Sequence, residues 1–289
     1  MNKDLKSLPE IRIGNVTSSP GTKKSGRLKI ADKAASSIEL PVTVIQGSSP
    51  GPTLAVLAGE HGCEYCGIVA AVRLIRDVTP EQIKGTLVII PLANPPAFED
   101  RSLFVNPIDV VNLYASYPGS SDGTISYIMA HKIFSELTSI ADYLIHLHGA
   151  DYNESLVPFN YYAHTGNSNV DEESKRLASC FPVDYVLEAE KVTEVSEGSP
   201  KGTSYAATAT GTLYGEASAK GIPATMCEAG REGKVEENFV TIHYNGILNA
   251  MKMIGLISGT PDFRKNQIKL HSPALVSNKK AGIFNPLAS

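Results

Sequence analysis

The sequence predicts an α/β fold with a mostly parallel mixed sheet and helices on both faces. Three apolar runs, at residues 53–58, 86–92 and 142–147, have the length and composition of buried strands. Segments with helical spacing lie between these runs, at residues 65–77 and 125–140. Strands that alternate with helices along a chain typically form a parallel sheet that is covered by helices.

Length and composition are those of an ordinary globular protein. The 289 residues suffice for one large domain, assigned to residues 1–257, with a short β-rich C-terminal remnant at residues 258–289. A net charge of -4 gives no support for nucleic acid or an acidic membrane as a partner. No apolar run reaches the roughly 20 residues that span a bilayer, and the N-terminus lacks the apolar part of a signal peptide. A cytoplasmic location is the default expectation, and a homo-oligomer is left open.

The first half of the chain is predicted to contain a polar leader, four strands, a helix and a long loop. Residues 1–24 are rich in Ser, Lys and Pro, which predicts a leader that is weakly ordered or bound at the edge of the sheet. Strands are predicted at residues 26–30 and 38–45, before the central strand and its helix. Residues 94–123 contain several prolines and no sustained period, which is typical of a long functional loop.

The second half continues the alternation of strands and helices. The predicted elements are a helix at 125–140, strands at 142–147 and 159–164, a helix at 172–180, a strand at 184–187, a helix at 207–220, a strand at 222–228 and a closing helix at 235–257. A second long loop, rich in Ser, Gly and Glu, is predicted for residues 191–203.

Side chains of the metal-ligating type stand at the carboxyl ends of three predicted strands. His61 and Glu64 lie three residues apart after the first, His146 and His148 end the third, and Glu228 ends the last. In open α/β sheets, ligands bind in the crevice at this edge. A catalytic zinc takes three protein ligands of the His and carboxylate type, which predicts one zinc ion on His61, Glu64 and His148.

The remaining members of this set have predicted roles beside the metal. His146 and His148 face the same side of their strand, so that one could ligate while the other supports it. Glu228 would take a proton from the attacking water and return it to the leaving group. The alternative for Glu228 is a capping or surface carboxylate before an acidic stretch.

The cysteines and one serine motif provide competing hypotheses. Cys63 and Cys66 form a C-x-x-C, which allows a redox pair, soft ligands beside His61, or small residues that pack a helix start. A G-x-S-x-G motif spans Gly119–Gly123, but no apolar strand precedes it, which argues against Ser121 as a nucleophile.

Three short motifs in this order resemble the succinylglutamate desuccinylase and aspartoacylase family, which belongs with the zinc carboxypeptidases. They are H-G-x-E at His61–Glu64, L-H-G at Leu147–Gly149 and E-A-G at Glu228–Gly230, supported by ANPPAF with Arg101 after it. The resemblance implies a phosphorylase/hydrolase-like α/β fold, zinc on His61, Glu64 and His148, and Glu228 as general base and acid. Arg101 matches the family arginine that stabilises the developing oxyanion.

Two departures from the family pattern concern the substrate and the metal surroundings. Where relatives carry N-L-N-R before F-P-G, this chain has Asn112, Leu113, Tyr114 and Ala115, then Tyr117 before Pro-Gly, so the Asn-Arg clamp for a substrate carboxylate is missing. Asn112, Tyr114, Tyr117 and His146 are the predicted substrate-binding side chains. His146 stands where an Asp is usual, which leaves the support of the metal ligands open.

The sequence as a whole predicts a zinc-dependent amidohydrolase that removes the acyl group from a small N-acyl amine or amino-acid derivative. The alternatives are a carboxypeptidase-like peptidase for short peptides, a redox or metal-storage protein that uses Cys63 and Cys66, and a catalytically inactive binding module. A small N-acyl molecule is the expected partner.

Overall fold

The structure, a computed structural model, describes residues 9–190 and 209–271. The strands are β1 (Ile11–Ile13), β2 (Val16–Ser18), β3 (Thr22–Asp32), β4 (Ser37–Gln46), β5 (Thr53–Leu57), β6 (Thr86–Ile90), β7 (Tyr143–His148), β8 (Phe159–His164), β9 (Tyr185–Glu190), β10 (Ala224–Glu228) and β11 (Ile268–His271). The helices are α1 (Tyr65–Asp77), α2 (Pro95–Asp100), α3 (Ile125–Thr138), α4 (Ser168–Ser179), α5 (Leu213–Ala219) and α6 (Glu237–Met253).

Within the described residues, the main sheet has nine strands in the order β11-β9-β8-β10-β7-β5-β6-β4-β3. Its centre is parallel, because β5 pairs in parallel with both β6 and β7, and β7 with β10. β8 is antiparallel to β10, β4 is antiparallel to β6, and the edge strand β3 is antiparallel to β4. β1 and β2 form a separate hairpin. The predicted mostly parallel mixed sheet is confirmed.

Helices cover both faces of this sheet because the central strands are apolar on both sides. Ala55 and Leu57 of β5 pack in one cluster with residues of α3 and α5. Leu54 and Val56, which alternate with them, pack in a second cluster with α1, α4 and α6. Alternate side chains of a strand point to opposite faces, so that one buried strand contributes to two cores.

Two predicted irregular regions contain more structure than expected. Residues 11–24 agree with the edge-bound form of the predicted leader, because β3 is the edge strand of the main sheet and Ile13 and Val16 are buried together with Leu28 of β3. The predicted loop at residues 94–123 begins with α2, where the Asn94 side chain accepts from the Ala97 amide and Pro95 occupies the first turn. The first proline of that segment therefore starts a helix.

Other predicted element boundaries differ from the observed ones by a few residues. Residues 207 and 208 of the helix predicted at 207–220 lie outside the described residues, and the described helix begins at Leu213, where the Thr212 hydroxyl caps it by accepting from the Gly215 amide. The predicted loop at residues 191–203 lies outside the described residues. β11 extends the main sheet in parallel with β9, and the division of the chain at residue 257 stays a prediction. In the described part of the chain, no helix has the length and apolar character needed to cross a membrane.

Candidate metal centre and active site

The carboxyl end of β5 leads into a tight turn that carries the first part of the site. His61 and Glu64 lie between β5 and α1, and Gly62 packs against the backbone of α2. A Cβ atom at position 62 would lie 2.3 Å from the Ala97 carbonyl carbon, so only glycine fits there. Asn94 donates from Nδ2 to the Glu60 carbonyl oxygen at 3.1 Å and thereby joins this turn to α2.

The structure brings His61, Glu64 and His148 together as the sequence predicts. The two Glu64 oxygens separate the rings: Oε1 lies 2.7 Å from His61 Nδ1 and Oε2 lies 2.9 Å from His148 Nδ1. Oε2 also accepts from the Gly149 amide at 2.9 Å. All three side chains are buried, and their ligand atoms lie within 4.8 Å of one another. This buried group could hold a metal ion.

The pKa shifts of this group show how the charges of its members act on one another. Burial lowers the pKa of His61, but the charge and hydrogen bond of Glu64 outweigh burial and raise it to about 9. Burial also acts against the charged forms of Glu64 and His148, yet their mutual attraction lowers the pKa of Glu64 and raises the pKa of His148. The donor set of two imidazoles and one carboxylate fits zinc, which takes N and O ligands in catalytic sites.

Glu228 reaches the same region from β10. It stands opposite His148 in the parallel register of β10 and β7. Its Oε2 is buried and has no hydrogen-bond partner among the described residues. Burial, followed by the charge of Glu64, raises the pKa of the Glu228 carboxyl, although the charge of His148 acts in the other direction. An unpartnered carboxylate oxygen beside the His/Glu group is free to exchange a proton.

A second buried group lies on the far side of the His148 ring. Glu60 Oε2 is 3.3 Å from His148 Nε2 and 3.4 Å from His146 Nε2, and the two Nε2 atoms are 3.0 Å apart. The Tyr117 hydroxyl donates to Glu60 Oε1 at 2.6 Å. His146 and Glu60 are fully buried, so the structure places His146 behind His148, the predicted third ligand, and Tyr117 beside Glu60.

The other predicted substrate-binding residues lie on the side of His61. Asn112 Oδ1 is 3.1 Å from His61 Nε2 and also accepts from the Tyr114 amide at 3.0 Å. The Tyr114 ring is buried, with its centroid 5.2 Å from that of His148.

Arg101 is exposed at the C-cap of α2. It adopts a left-handed backbone conformation with φ 56°. Burial raises the pKa of Tyr152, and the charge of Arg101 acts in the opposite direction on that pKa. Among the described residues, its guanidinium makes no hydrogen bond or ion pair, and the structure does not bring it into contact with the His/Glu group.

Several residues of the site were not identified from the sequence. Glu60 directly precedes His61, but nothing in its spacing distinguishes it from a surface carboxylate. Asp151 is fully buried, and its Oδ1 accepts from the Cys63 thiol. Burial and the charge of Glu64 raise the pKa of Asp151 to about 6. Neither residue could be found without the contacts between strand ends.

The cysteines do not take part in the candidate metal groups of the described chain. Burial raises the pKa of both the Cys63 and the Cys66 thiol, and the Cys63 thiol donates a hydrogen bond to Asp151 Oδ1. Cys66 Sγ lies 3.2 Å from the Lys234 carbonyl oxygen. Because thiolates are the metal-binding and redox-active form, these surroundings favour a packing role. Ser121 is exposed in a turn, which agrees with the sequence argument against it as a nucleophile.

Fold and site together define the class of protein. It is an α/β protein whose parallel strands present, at their carboxyl ends, a buried His/Glu group that could hold a metal ion. A family model described as the succinylglutamate desuccinylase/aspartoacylase catalytic domain matches residues 50–254. The chain belongs to this family, and the resemblance seen in the sequence is confirmed.

Comparisons with individual proteins agree with this assignment. N-alpha-acetyl-L-2,4-diaminobutyric acid deacetylase of Halomonas elongata is 31% identical over 128 residues, which are 44% of this chain and only 37% of that relative. The product-bound ectoine utilization protein EutE (DoeB) of Ruegeria pomeroyi superposes with a TM-score of 0.73 at 25% identity, covering 91% of this chain and 74% of that one. A succinylglutamate desuccinylase/aspartoacylase of Rhodobacter sphaeroides has a TM-score of 0.72 at 24% identity, with coverages of 86% and 71%.

Proposed function

We propose that the protein is a zinc-dependent amidohydrolase that removes an acyl group from a small N-acyl amine or amino-acid derivative. Membership in a family of deacylases supports amide hydrolysis. The relative from Halomonas elongata is named as a deacetylase of an acetylated diamino acid, which supports a small N-acyl substrate. The observation that carries the proposal is the buried His61–Glu64–His148 group with the unpartnered Glu228 oxygen beside it.

His61, Glu64 and His148 would hold the metal ion through Nδ1, a carboxylate oxygen and Nδ1. A bound zinc lowers the pKa of water towards 7 and polarises the acyl carbonyl group. The protein contributes orientation, because Glu64 contacts both rings and is itself fixed by the Gly149 amide. Ligands held in this way keep their geometry while substrate exchanges.

Glu228 performs the proton transfers in this proposal. Its carboxylate accepts a proton from the attacking water at the free Oε2 and passes it to the nitrogen of the leaving amine. Burial raises the pKa of Glu228, and a cation held by the neighbouring group would act in the opposite direction and favour the carboxylate form that a base requires. Arg101, which has no described partner, would bind the oxyanion that develops on the acyl carbonyl oxygen.

The surroundings of Glu228 favour an amine product without a carboxylate. The charges that act most strongly on Glu228 come from His148, Glu64, His61 and Glu154, and no Lys or Arg of the described chain is among them. Tyr114 and Tyr161, whose pKa values burial and the charge of Glu228 raise, provide aromatic neighbours. We therefore propose that the leaving group is neutral or cationic, because an unpaired carboxylate would lose several kcal/mol of hydration there.

The variant Glu228→Gln tests the proposed base. It should keep its zinc content, because Glu228 is not a ligand, and lose roughly a hundred- to ten-thousand-fold in kcat on a responsive N-acyl compound. Glu237→Gln, on an exposed carboxylate of α6, is the matched control and should retain full kcat. Unchanged turnover in Glu228→Gln would remove that residue from the mechanism. Cleavage of short peptides in preference to all N-acyl amines would support the peptidase alternative.

The proposed preference for a leaving amine without a carboxylate is tested with one N-acyl amino acid and its decarboxylated amine analogue. We expect a higher kcat/KM for the analogue. Ala115→Arg should shift the preference towards the acid by roughly 10- to 100-fold, the effect of one charge-assisted hydrogen bond, whereas the uncharged Ala115→Gln should not. A wild-type preference of tenfold or more for the acid, about 1.4 kcal/mol, would contradict the proposal.

A further inference from the structure

We propose that Glu60 is a positioning residue for the metal centre: its carboxylate accepts the Nε2 proton of His148 and thereby directs Nδ1 of the same ring at the metal. The inference rests on the proposed function only in taking His148 as a ligand. Its test therefore measures metal binding and not turnover.

The two nitrogens of His148 face two different carboxylates. Nδ1 lies 2.9 Å from Glu64 Oε2, on the side of the metal-binding group, and Nε2 lies 3.3 Å from Glu60 Oε2. A neutral imidazole carries one proton, so it can ligate through Nδ1 only when the proton is on Nε2. An acceptor at Nε2 selects this tautomer, holds the plane of the ring and raises the basicity of the ligating nitrogen.

Glu60 and His146 compete for that proton, and the charge of Glu60 decides between them. His146 Nε2 is the nearer atom, at 3.0 Å from His148 Nε2. However, Glu60 is fully buried, its Oε2 makes no hydrogen bond in the described chain, and His148 Nε2 lies 3.3 Å from it. Donation to His146 alone would leave a buried carboxylate oxygen without a donor, which is strongly unfavourable. Donation to Glu60 is charge-assisted and removes this cost.

The Glu60 carboxylate is held in place from two other directions. Tyr117 donates from its hydroxyl to Oε1 at 2.6 Å, which leaves Oε2 for the imidazoles. Asn94 donates to the Glu60 carbonyl oxygen at 3.1 Å while its own carbonyl oxygen caps α2. The side chain of Glu60 is therefore held by the segment that contains Tyr117, and its backbone by the start of α2. A carboxylate anchored in this way can fix the orientation of the His148 ring in addition to balancing its charge.

Glu60, His146 and His148 also have the donor atoms for a second metal ion. Their ligand atoms are buried and lie 3.0 to 3.4 Å apart. These distances are similar to those between two ligand atoms that bind the same metal ion. However, His148 is common to this group and to the His61–Glu64–His148 group. An ion on each nitrogen of one imidazole would require the loss of both ring protons. A proton on Nε2 satisfies Glu60 without that loss.

The position of this carboxylate explains how the chain functions with His146. The family pattern has an Asp at position 146, two residues before His148 and on the same face of β7. In the structure, the parallel register places Leu57 of β5 opposite His146, so the turn after β5 brings Glu60 to the same place. A carboxylate from the neighbouring strand end thus lies beside His146, 3.4 Å from its Nε2. Restoring Asp at position 146 should then compensate for the loss of Glu60.

The test is the zinc affinity of metal-free Glu60→Gln, measured by competition with a chelator at pH 7. We expect roughly 10- to 100-fold weaker binding than wild type, together with a changed visible spectrum of the cobalt-loaded protein. Thermal unfolding of the metal-free forms checks that the fold is retained. Glu237→Gln, on the surface of α6, is the matched control and should bind zinc as wild type does.

Two further variants separate positioning from a general loss of stability. Tyr117→Phe removes the donor to Glu60 and should weaken zinc binding, whereas Tyr143→Phe, whose hydroxyl donates to Glu173 at 3.3 Å, should not. Glu60→Gln combined with His146→Asp should recover zinc affinity relative to Glu60→Gln alone. Failure of this rescue would contradict the proposed exchange of positions.

Three outcomes would overturn the proposal. Affinity of Glu60→Gln within twofold of wild type would show that the carboxylate does not position the ligand. Two zinc ions per wild-type chain, with only one lost in Glu60→Gln, would identify the Glu60 group as a second metal site. Absence of zinc binding by the wild type would remove both this proposal and the proposed function. Zinc binding without hydrolysis would overturn the proposed function alone.

Discussion

His243 provides a prediction whose magnitude follows from its surroundings. It is fully buried on α6, and its Nε2 donates to the Ala229 carbonyl oxygen at 2.9 Å, directly after Glu228. Its Nδ1 has no hydrogen-bond partner within the described residues. Burial, which disfavours the imidazolium, lowers the pKa of His243 from 6.5 to about 4, against the smaller effect of the Ala229 hydrogen bond.

The sign and size of the effect follow from proton linkage. Between pH 4 and 6.5 the unfolded chain binds a proton at residue 243 and the folded chain does not, so the free energy of unfolding rises with pH. The contribution is complete above pH 6.5 and is lost as the pH falls through about 4. A difference of about 2.5 between the two pKa values corresponds to about 3 kcal/mol.

The variant His243→Gln isolates this contribution. A glutamine amide can still donate to the Ala229 oxygen but does not titrate. Urea unfolding of the metal-free proteins at several pH values between 4 and 7 should show a steeper loss of stability in wild type than in His243→Gln, by about 3 kcal/mol over the window. His131→Gln, on the partly exposed side of α3, should follow wild type. Parallel curves for wild type and His243→Gln would refute the reasoning.

The remaining predictions concern the metal and the oxyanion. His61→Ala and His148→Ala should each lose most of the zinc measured by metal analysis, and full occupancy in both would disprove the ligand assignment. Cys63→Ser and Cys66→Ser should keep nearly all of it, because neither thiol belongs to a candidate metal group of the described chain; a large loss would favour a thiolate site. Arg101→Ala should reduce kcat by roughly a hundredfold or more while zinc content is unchanged, and an unaltered kcat would exclude an oxyanion role.

The local pattern of apolar and polar residues was sufficient to predict the class of fold and the side chains at the three strand ends. The apolar run before His61 is buried on both sides, and a strand buried in this way must lie inside a helix-covered sheet. Because carboxyl ends of parallel strands meet at one edge, His61, Glu64 and His148 could be grouped from their order alone. Family motifs of a few residues carry the same information, since they mark those edges.

Irregular segments were less predictable, because their order depends on packing partners elsewhere in the chain. Residues 11–18 have little local pattern, yet Ile13 and Val16 are buried against β3. α2 was missed because two prolines suggested a loop, whereas the Asn94 cap and the contact of Gly62 with its backbone stabilise a short helix. The sequence alone contains no sign of these long-range contacts.

The sequence by itself determined the fold class, the family and the side chains of the candidate metal group, because periodicity and spacing are local properties that survive without coordinates. Only the tertiary structure decided what supports them. Glu60 and His146 are 86 positions apart, and their contact depends on the register of β5 and β7. Asp151 is likewise buried beside Cys63 only because the turns after β5 and β7 meet. Hydrogen bonds between strand ends are set by register and burial, and neither can be read from a linear pattern.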